Sequence, residues 1–198
     1  MELRVEEVLI LAKRMLSEER FYHTMCVADH AEALAKHFGL DPVRARCAGL
    51  AHDLAKELPI QDQLGLARRW NLLRFPEDEK YPYVLHGPLS AYWLGHYFKV
   101  EDQELLAAIA NHTLGRPGMS RFEMLIYSAD LTESTRDFPE VDFLRQSLYD
   151  DLEKGTLECV KGTLSYLKES KRPIHPLTQM TYDDLQRRIT VGTGSKNA

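Results

Sequence analysis

Apolar residues recur three or four positions apart along most of this chain, as in Val5, Val8, Leu9, Ala12 and Leu16 and again in Val27, Ala31, Leu34 and Ala35. That period lines them up on one stripe of a helix. Alternation at every second position, which marks a half-buried strand, is hard to find, so the pattern predicts an all-α protein. Start signals divide the stripe into helices. Asp41-Pro42 offers a carboxylate to free backbone N–H groups and a proline preset for the first turn, and the helix it opens carries His52-Asp53 near its end. Short helices are predicted over 61–70, 86–98 and 101–111, with Gly87-Pro88 placing His86 at a helix start. Ser120 and Glu123 have capping-box spacing and open a helix that reaches Asp130. A closing pair follows over 142–152 and 156–167, and 171–176 breaks the pattern. The run Glu77-Asp78-Glu79-Lys80 reads as a solvated loop, and there is no internal repeat.

No Pro, Gly or Ser-rich linker divides the 198 residues, so they read as one single-domain helical bundle over 1–190, with a frayed tail over 191–198. Hydrophobic residues make up 44% and charged residues 28%, which is enough apolar mass to exclude water from a site. Apolar runs are far shorter than a membrane span and the N-terminus MELRVEEVLI is acidic, so no membrane association and a cytoplasmic location are expected. Cys26, Cys47 and Cys159 are odd in number and widely spaced, which fits buried thiols rather than disulfides. A net charge of -5 argues against a nucleic-acid partner, which needs a basic stripe. A small phosphorylated ligand needs only local cations and stays open. The two Trp and nine Tyr leave room for a homodimer face.

The candidate chemistry is an ordered set: His23, His52-Asp53 in AGLAHDLAKELP, His86, His112 in ANHTLG and Asp130 in YSAD. Neutral imidazole and carboxylate are the ligands of borderline divalent ions such as iron, manganese, cobalt, nickel or zinc. His52-Asp53 ends the apolar run CAGLAHDLAK, where a polar pair is costly to bury unless something ligates or hydrogen-bonds it. Neighbours on a helix diverge by about 100°, so the two reach one ion only across a helix end. His23, His52, Asp53 and Asp130 make a mixed N/O shell for one ion. His86 and His112 either ligate a second ion bridged by Asp53 or hydrogen-bond a phosphate; a plain helix C-terminal role is the alternative for His112. Asp53, Lys56, His86 and His112 are the catalytic candidates. Arg20, Lys56, Thr113, Arg116 and Arg136 are the candidates for holding substrate, each close in sequence to a ligand. His30 and His37 read as structural, and His96 and His175 as surface or helix-end residues.

With these residues in hand the chain resembles the HD-domain metal-dependent phosphohydrolases, through His23, His52-Asp53 and Asp130. Within them it is similar to the YqeK family of symmetrical diadenosine-tetraphosphate hydrolases. RFYH, AGLAHDLAKELP, HGPLSAYWL, AIANHTLGRPGMS and IYSADLTESTRDFPEVD carry that similarity over roughly residues 15–170. Ser134 stands where that family usually has Pro and Glu140 where Gly is common, departures that bear on loop geometry; Arg136 is retained. The resemblance implies an HD-type helical bundle that binds iron, one ion or two. It implies cleavage of diadenosine tetraphosphate into two ADP, with ADP or GDP as product-like ligand. His23, His52, Asp53 and Asp130 would hold metal, and His86 and His112 would complete a second site. The competing readings are another HD phosphohydrolase, acting on a nucleoside monophosphate, a deoxynucleotide or a guanosine alarmone, and a metal-bound nucleotide sensor that does not turn over.

Overall fold

A computed structural model describes residues 3–194, and among them there are eleven α-helices and no strand. α1 spans Val5–Met15, α2 Glu18–Phe38, α3 Pro42–Ala51, α4 Ile60–Arg69 and α5 Pro76–Lys80. A one-turn 3-10 helix, Pro82–Val84, leads into α6 (His86–Tyr97), followed by α7 (Gln103–Asn111), α8 (Arg121–Thr132), α9 (Val141–Asp150), α10 (Leu152–Glu169) and α11 (Pro176–Gly194). No described helix is long and apolar enough to cross a membrane.

Caps set where these helices begin. Ser17 accepts from the Arg20 N–H at the start of α2, and Asp41 accepts from the N–H groups of Val43 and Arg44 at the start of α3. Ser120 and Glu123 form the expected reciprocal box at α8. α2 ends on Gly39, whose left-handed φ of 67° lets its N–H return to Ala35.

The most extensive helix packing is between α2 and α3, where Ala28, Ala31, Ala35, Ala45 and Ala48 are fully buried. A Cβ on Gly49 would lie 2.7 Å from the Ala28 Cα, so the two backbones nearly touch. That approach brings the start of α2 against the end of α3, and hence His23 against His52. Leu34, Leu50, Phe122, Leu125, Ile126 and Leu148 fill the main core around this contact.

Two expectations change. Glu77 to Lys80 is not a solvated loop: it is α5, and Asp78 is buried because its Oδ2 accepts from the N–H groups of Arg74 (2.7 Å) and Phe75 (2.9 Å). Of the two roles open to His175, helix end and surface, the helix-end one holds, with Nδ1 accepting from the Leu177 N–H (3.1 Å) just inside α11; it is not on the surface but buried, with Nε2 3.3 Å from Asp78 Oδ1. The segment after it, unassigned from sequence, is α11, whose described residues end at Gly194; the rest of the expected tail, 195–198, lies outside the described residues. Glu140, which departs from the Gly common in the resembled family, has a left-handed φ of 74°.

Candidate metal centre

α3 stops at Ala51, and the chain turns tightly through 52–57. This helix end resolves the divergence of adjacent side chains, because His52 and Asp53 now both face the same point, with Nε2 and Oδ2 3.4 Å apart. α2 brings His23, α6 brings His86 at its first residue, α7 brings His112 just past its last and α8 brings Asp130.

Six side chains converge. Asp130 Oδ1 lies 3.1 Å from His23 Nε2 and 3.8 Å from His52 Nε2. Asp53 Oδ1 lies 3.2 Å from His86 Nε2 and 3.6 Å from His112 Nε2. The two Nε2 atoms of His86 and His112 are 3.1 Å apart. Two overlapping groups have ligand spacing, one of His23, His52 and Asp130 and one of His52, Asp53 and His112.

The other nitrogen of each ring explains why Nε2 faces inward. Nδ1 of His52, His86 and His112 each donates to the carbonyl three residues earlier, Gly49 (2.6 Å), Tyr83 (2.9 Å) and Ile109 (2.8 Å). A carbonyl only accepts, so Nδ1 carries the proton and the neutral ring turns a lone pair to the centre. His23 Nδ1 donates instead to Glu133 Oε1 at 3.1 Å. Carbonyl or carboxylate support of this kind fixes the tautomer of a metal-ligating histidine. Four lone pairs and two carboxylates then face one another, and the buried Nε2 atoms of His23 and His52 have no hydrogen-bond partner. A divalent cation satisfies all of them, so the donor set fits one.

Electrostatics agree. Burial pushes the Asp53 and Asp130 carboxyls up, but the surrounding histidines outweigh it and hold both well below the usual carboxylate range. Burial drives His86 down to about 4 against the pull of Asp53, which leaves it neutral at pH 7. For His52 burial lowers and the two carboxylates raise, with the net upward, so a proton and a cation compete for its Nε2.

Cations sit on both flanks. Arg20 Nη1 donates to Asp53 Oδ2 (3.2 Å), and Arg136 donates to Asp130 through Nη2 to Oδ1 (2.8 Å) and through Nε to the backbone oxygen (3.0 Å). Lys56 Nζ lies 3.3 Å from His86 Nε2, and Thr113 Oγ1 lies 3.1 Å from both His86 and His112. Arg116 does not join them. The chain turns away at Gly115, with a left-handed φ of 68°, and the guanidinium forms a bidentate pair with buried Glu123 at 2.7 and 2.6 Å.

Sequence reasoning missed Glu133. It is fully buried and holds His23 while accepting from the Thr135 N–H (2.6 Å) and hydroxyl (2.5 Å). Burial raises its pKa, yet these donors bring it below the usual range. Its place one turn after Asp130 was the available signal.

An all-helical scaffold with a mixed imidazole and carboxylate cluster at its centre defines the class: a helical protein built around divalent metal. The HD domain family matches residues 20–142. The symmetrical bis(5'-nucleosyl)-tetraphosphatase of Bacillus subtilis (strain 168) is 36% identical over 178 residues, 90% of this chain and 95% of that one. Its namesake in Staphylococcus aureus (strain NCTC 8325 / PS 47) is 33% identical, over 83% of this chain and 86% of the other. The crystal structure of a Clostridium acetobutylicum protein, described as a predicted HD superfamily hydrolase involved in NAD metabolism, superposes with a TM-score of 0.89 at 31% identity, covering 95% of this chain and all of that one. This chain belongs to the HD domain family, on the branch of the symmetrical bis(5'-nucleosyl)-tetraphosphatases.

Proposed function

We propose that this protein is a metal-dependent hydrolase that splits diadenosine tetraphosphate, and related dinucleoside tetraphosphates, at the central bridge into two nucleoside diphosphates. The observation that carries this reading is the convergence of four Nε2 lone pairs on Asp53 and Asp130, in a chain that aligns over nine-tenths of its length with a symmetrical tetraphosphatase. We assign His23, His52, Asp53 and Asp130 to one ion and His86, His112 and Asp53 to a second, with iron as the metal. A bound divalent ion supplies Lewis acidity at phosphoryl oxygens and lowers the pKa of a water.

The chain's own groups do the rest. Arg20 and Arg136 receive phosphate oxygens on the flank of His23, and Lys56 with Thr113 receives them on the flank of His86. Asp53, with an oxygen toward each histidine pair, keeps both flanks in one register. A tetraphosphate carries several negative charges, so positioning and charge neutralisation supply most of the rate enhancement. ADP or GDP is the product-like ligand, and the proposed location is the cytoplasm.

The test is to incubate iron-loaded protein with diadenosine tetraphosphate and separate the products. ADP as the sole product, lost in His52→Ala and Asp53→Ala, supports the reading. Inorganic phosphate or an AMP and ATP pair would overturn symmetrical cleavage. Absence of turnover with metal bound would turn the protein into a sensor or an enzyme for another nucleotide.

A further inference from the structure

A cleft of about 430 Å³ opens beside His23, bounded by Arg20 and Tyr22 of α2, Glu57 of the following turn and Thr135 and Arg136 of the turn after α8. That volume is within the range of small-molecule sites, roughly 300–1,000 Å³. Its walls are fixed to one another. Both Glu57 oxygens accept from Ser17, one from its N–H and one from its hydroxyl, each at 2.6 Å, which ties the 52–57 turn to the start of α2. On the other wall Arg145 donates to the backbone oxygens of Thr132 (2.9 Å), Glu133 (2.7 Å) and Arg136 (3.0 Å), which holds the 133–136 turn.

Two guanidiniums line this cleft and each pairs with a carboxylate of the metal centre, Arg20 with Asp53 and Arg136 with Asp130; both are about one-third exposed. Tyr22 is the one Phe, Tyr or Trp among the lining residues and is 63% exposed. A single exposed aromatic needs no explanation by itself. Here it adjoins His23 in sequence and shares the walls of one cleft with His23, Arg20 and Arg136. A nucleoside diphosphate calls for the same groups: cations for its two phosphates and an aromatic face for its base.

We propose that Tyr22 is the platform on which the nucleobase of one nucleoside diphosphate half stacks, with its phosphates on Arg20 and Arg136 and its terminal phosphorus at the metal centre. The assignment rests on the hydrolase reading above and adds to it the place of the base and the residue that meets it. Every base has a π-face, so a stacking platform tolerates different bases. Adenine and guanine halves are therefore both accepted.

The experiment compares wild type, Tyr22→Ala and Tyr22→Phe in the metal-loaded enzyme, using KM for diadenosine tetraphosphate and inhibition constants for ADP, GDP and base-free tripolyphosphate. Tyr22→Ala is expected to raise KM and both nucleotide constants about tenfold, a change of about 1.4 kcal/mol. Tyr22→Phe keeps the ring and should stay within twofold of wild type. Tripolyphosphate, which has no base, should inhibit all three proteins equally. Unchanged nucleotide constants in Tyr22→Ala, or an equal loss for tripolyphosphate, overturns the platform while leaving the hydrolase reading intact. Tyr22-dependent ADP binding in a protein that never cleaves the tetraphosphate upholds the platform and sinks the hydrolase reading instead.

Discussion

The two flanks of the metal centre are built to opposite plans. On the flank of His23 and Asp130, guanidiniums reach water, a cleft opens, and the support for His23 is one carboxylate, Glu133. On the flank of His86 and His112 both rings are almost wholly buried, and layers of structure stand behind them. Asn111, next to His112, accepts from Arg74 and donates to Glu123, which also grips Arg116. α11 then clasps the loop that follows His112: the Thr181 hydroxyl donates to the Leu114 oxygen, Asp184 accepts from the Gly118 N–H and Arg188 donates to the Met119 oxygen. The difference teaches a division of labour. One flank is left open, and the other is made rigid so that the Nε2 atoms of His86 and His112, 3.1 Å apart, keep their places.

Asp53 reaches toward both flanks, with Oδ2 near His52 and Arg20 and Oδ1 near His86 and His112. Its replacement should have the largest effect of any. Asp53→Ala is expected to lower kcat/KM by at least about 1,000-fold, or roughly 4 kcal/mol of transition-state stabilisation, and to reduce bound metal on both flanks. Metal analysis alongside turnover decides this, and retention of full metal content would mean that the flanks are independent sites.

The rigid flank should break through stability rather than through chemistry. Asp78→Ala removes the acceptor for two backbone N–H groups and leaves His175 buried without its partner, at a cost of about 2–4 kcal/mol. Burial is the main influence lowering the His175 pKa, so the ring stays neutral at pH 7 and the loss should be the same at pH 7 and 8. Urea denaturation of the variant measures it. A cost below 0.5 kcal/mol would show that α11 does not brace this flank.

On the open flank the matching change should hit activity first. Glu133→Gln leaves one acceptor oxygen but replaces the other with an NH2 group that cannot accept from Thr135, so His23 loses its fixed orientation. Loss of such support typically costs 10–100-fold in metal affinity or activity. Titration of the metal-free protein with ferrous iron should show that loss with a melting temperature close to wild type.

His30 gives the same flank a pH signature. Its Nε2 meets the Thr132 hydroxyl at 3.0 Å, and burial, followed by the nearby Arg145, lowers its pKa to about 4 from the ordinary 6.5. The unfolded chain therefore binds a proton near pH 6.5 that the folded protein refuses until about pH 4. Stability is complete above pH 6.5 and is lost as pH falls toward 4, by about 1–2 kcal/mol after allowance for the ring's partial exposure. His30→Gln should flatten the denaturation midpoint over that window, and an unchanged slope would assign the acid loss to other groups.

What the sequence made legible follows from the same physics. The helices and the six clustered side chains could be read because a 3.6-residue period and the choice of His and Asp are local properties. α11 escaped because its buried positions include Thr178 and Thr181, hydroxyl residues that a hydrophobic pattern passes over. Asp78 and Glu133 escaped because a carboxylate that caps a backbone or orients a ring looks, in sequence, like any surface acid. Proximity in sequence could not tell where Arg116 points: it lies four residues after His112, but the left-handed turn at Gly115 sends it to Glu123.

The smallest effect expected is at Glu140, which closes the turn leading from the open flank into α9. Its φ of 74° is left-handed, where a side chain's Cβ crowds the backbone at a cost of roughly 1 kcal/mol that glycine does not incur. Glycine also gives the unfolded chain more freedom, which takes back part of the gain. Glu140→Gly should therefore stabilise by about 0.5 kcal/mol, read as a rise of 1–2 °C in melting temperature. The turn also carries Arg136, so relief of strain there should leave KM for the tetraphosphate within twofold. A larger change in KM would mean that the strained turn, and not only the guanidinium, sets the position of Arg136 on the open flank.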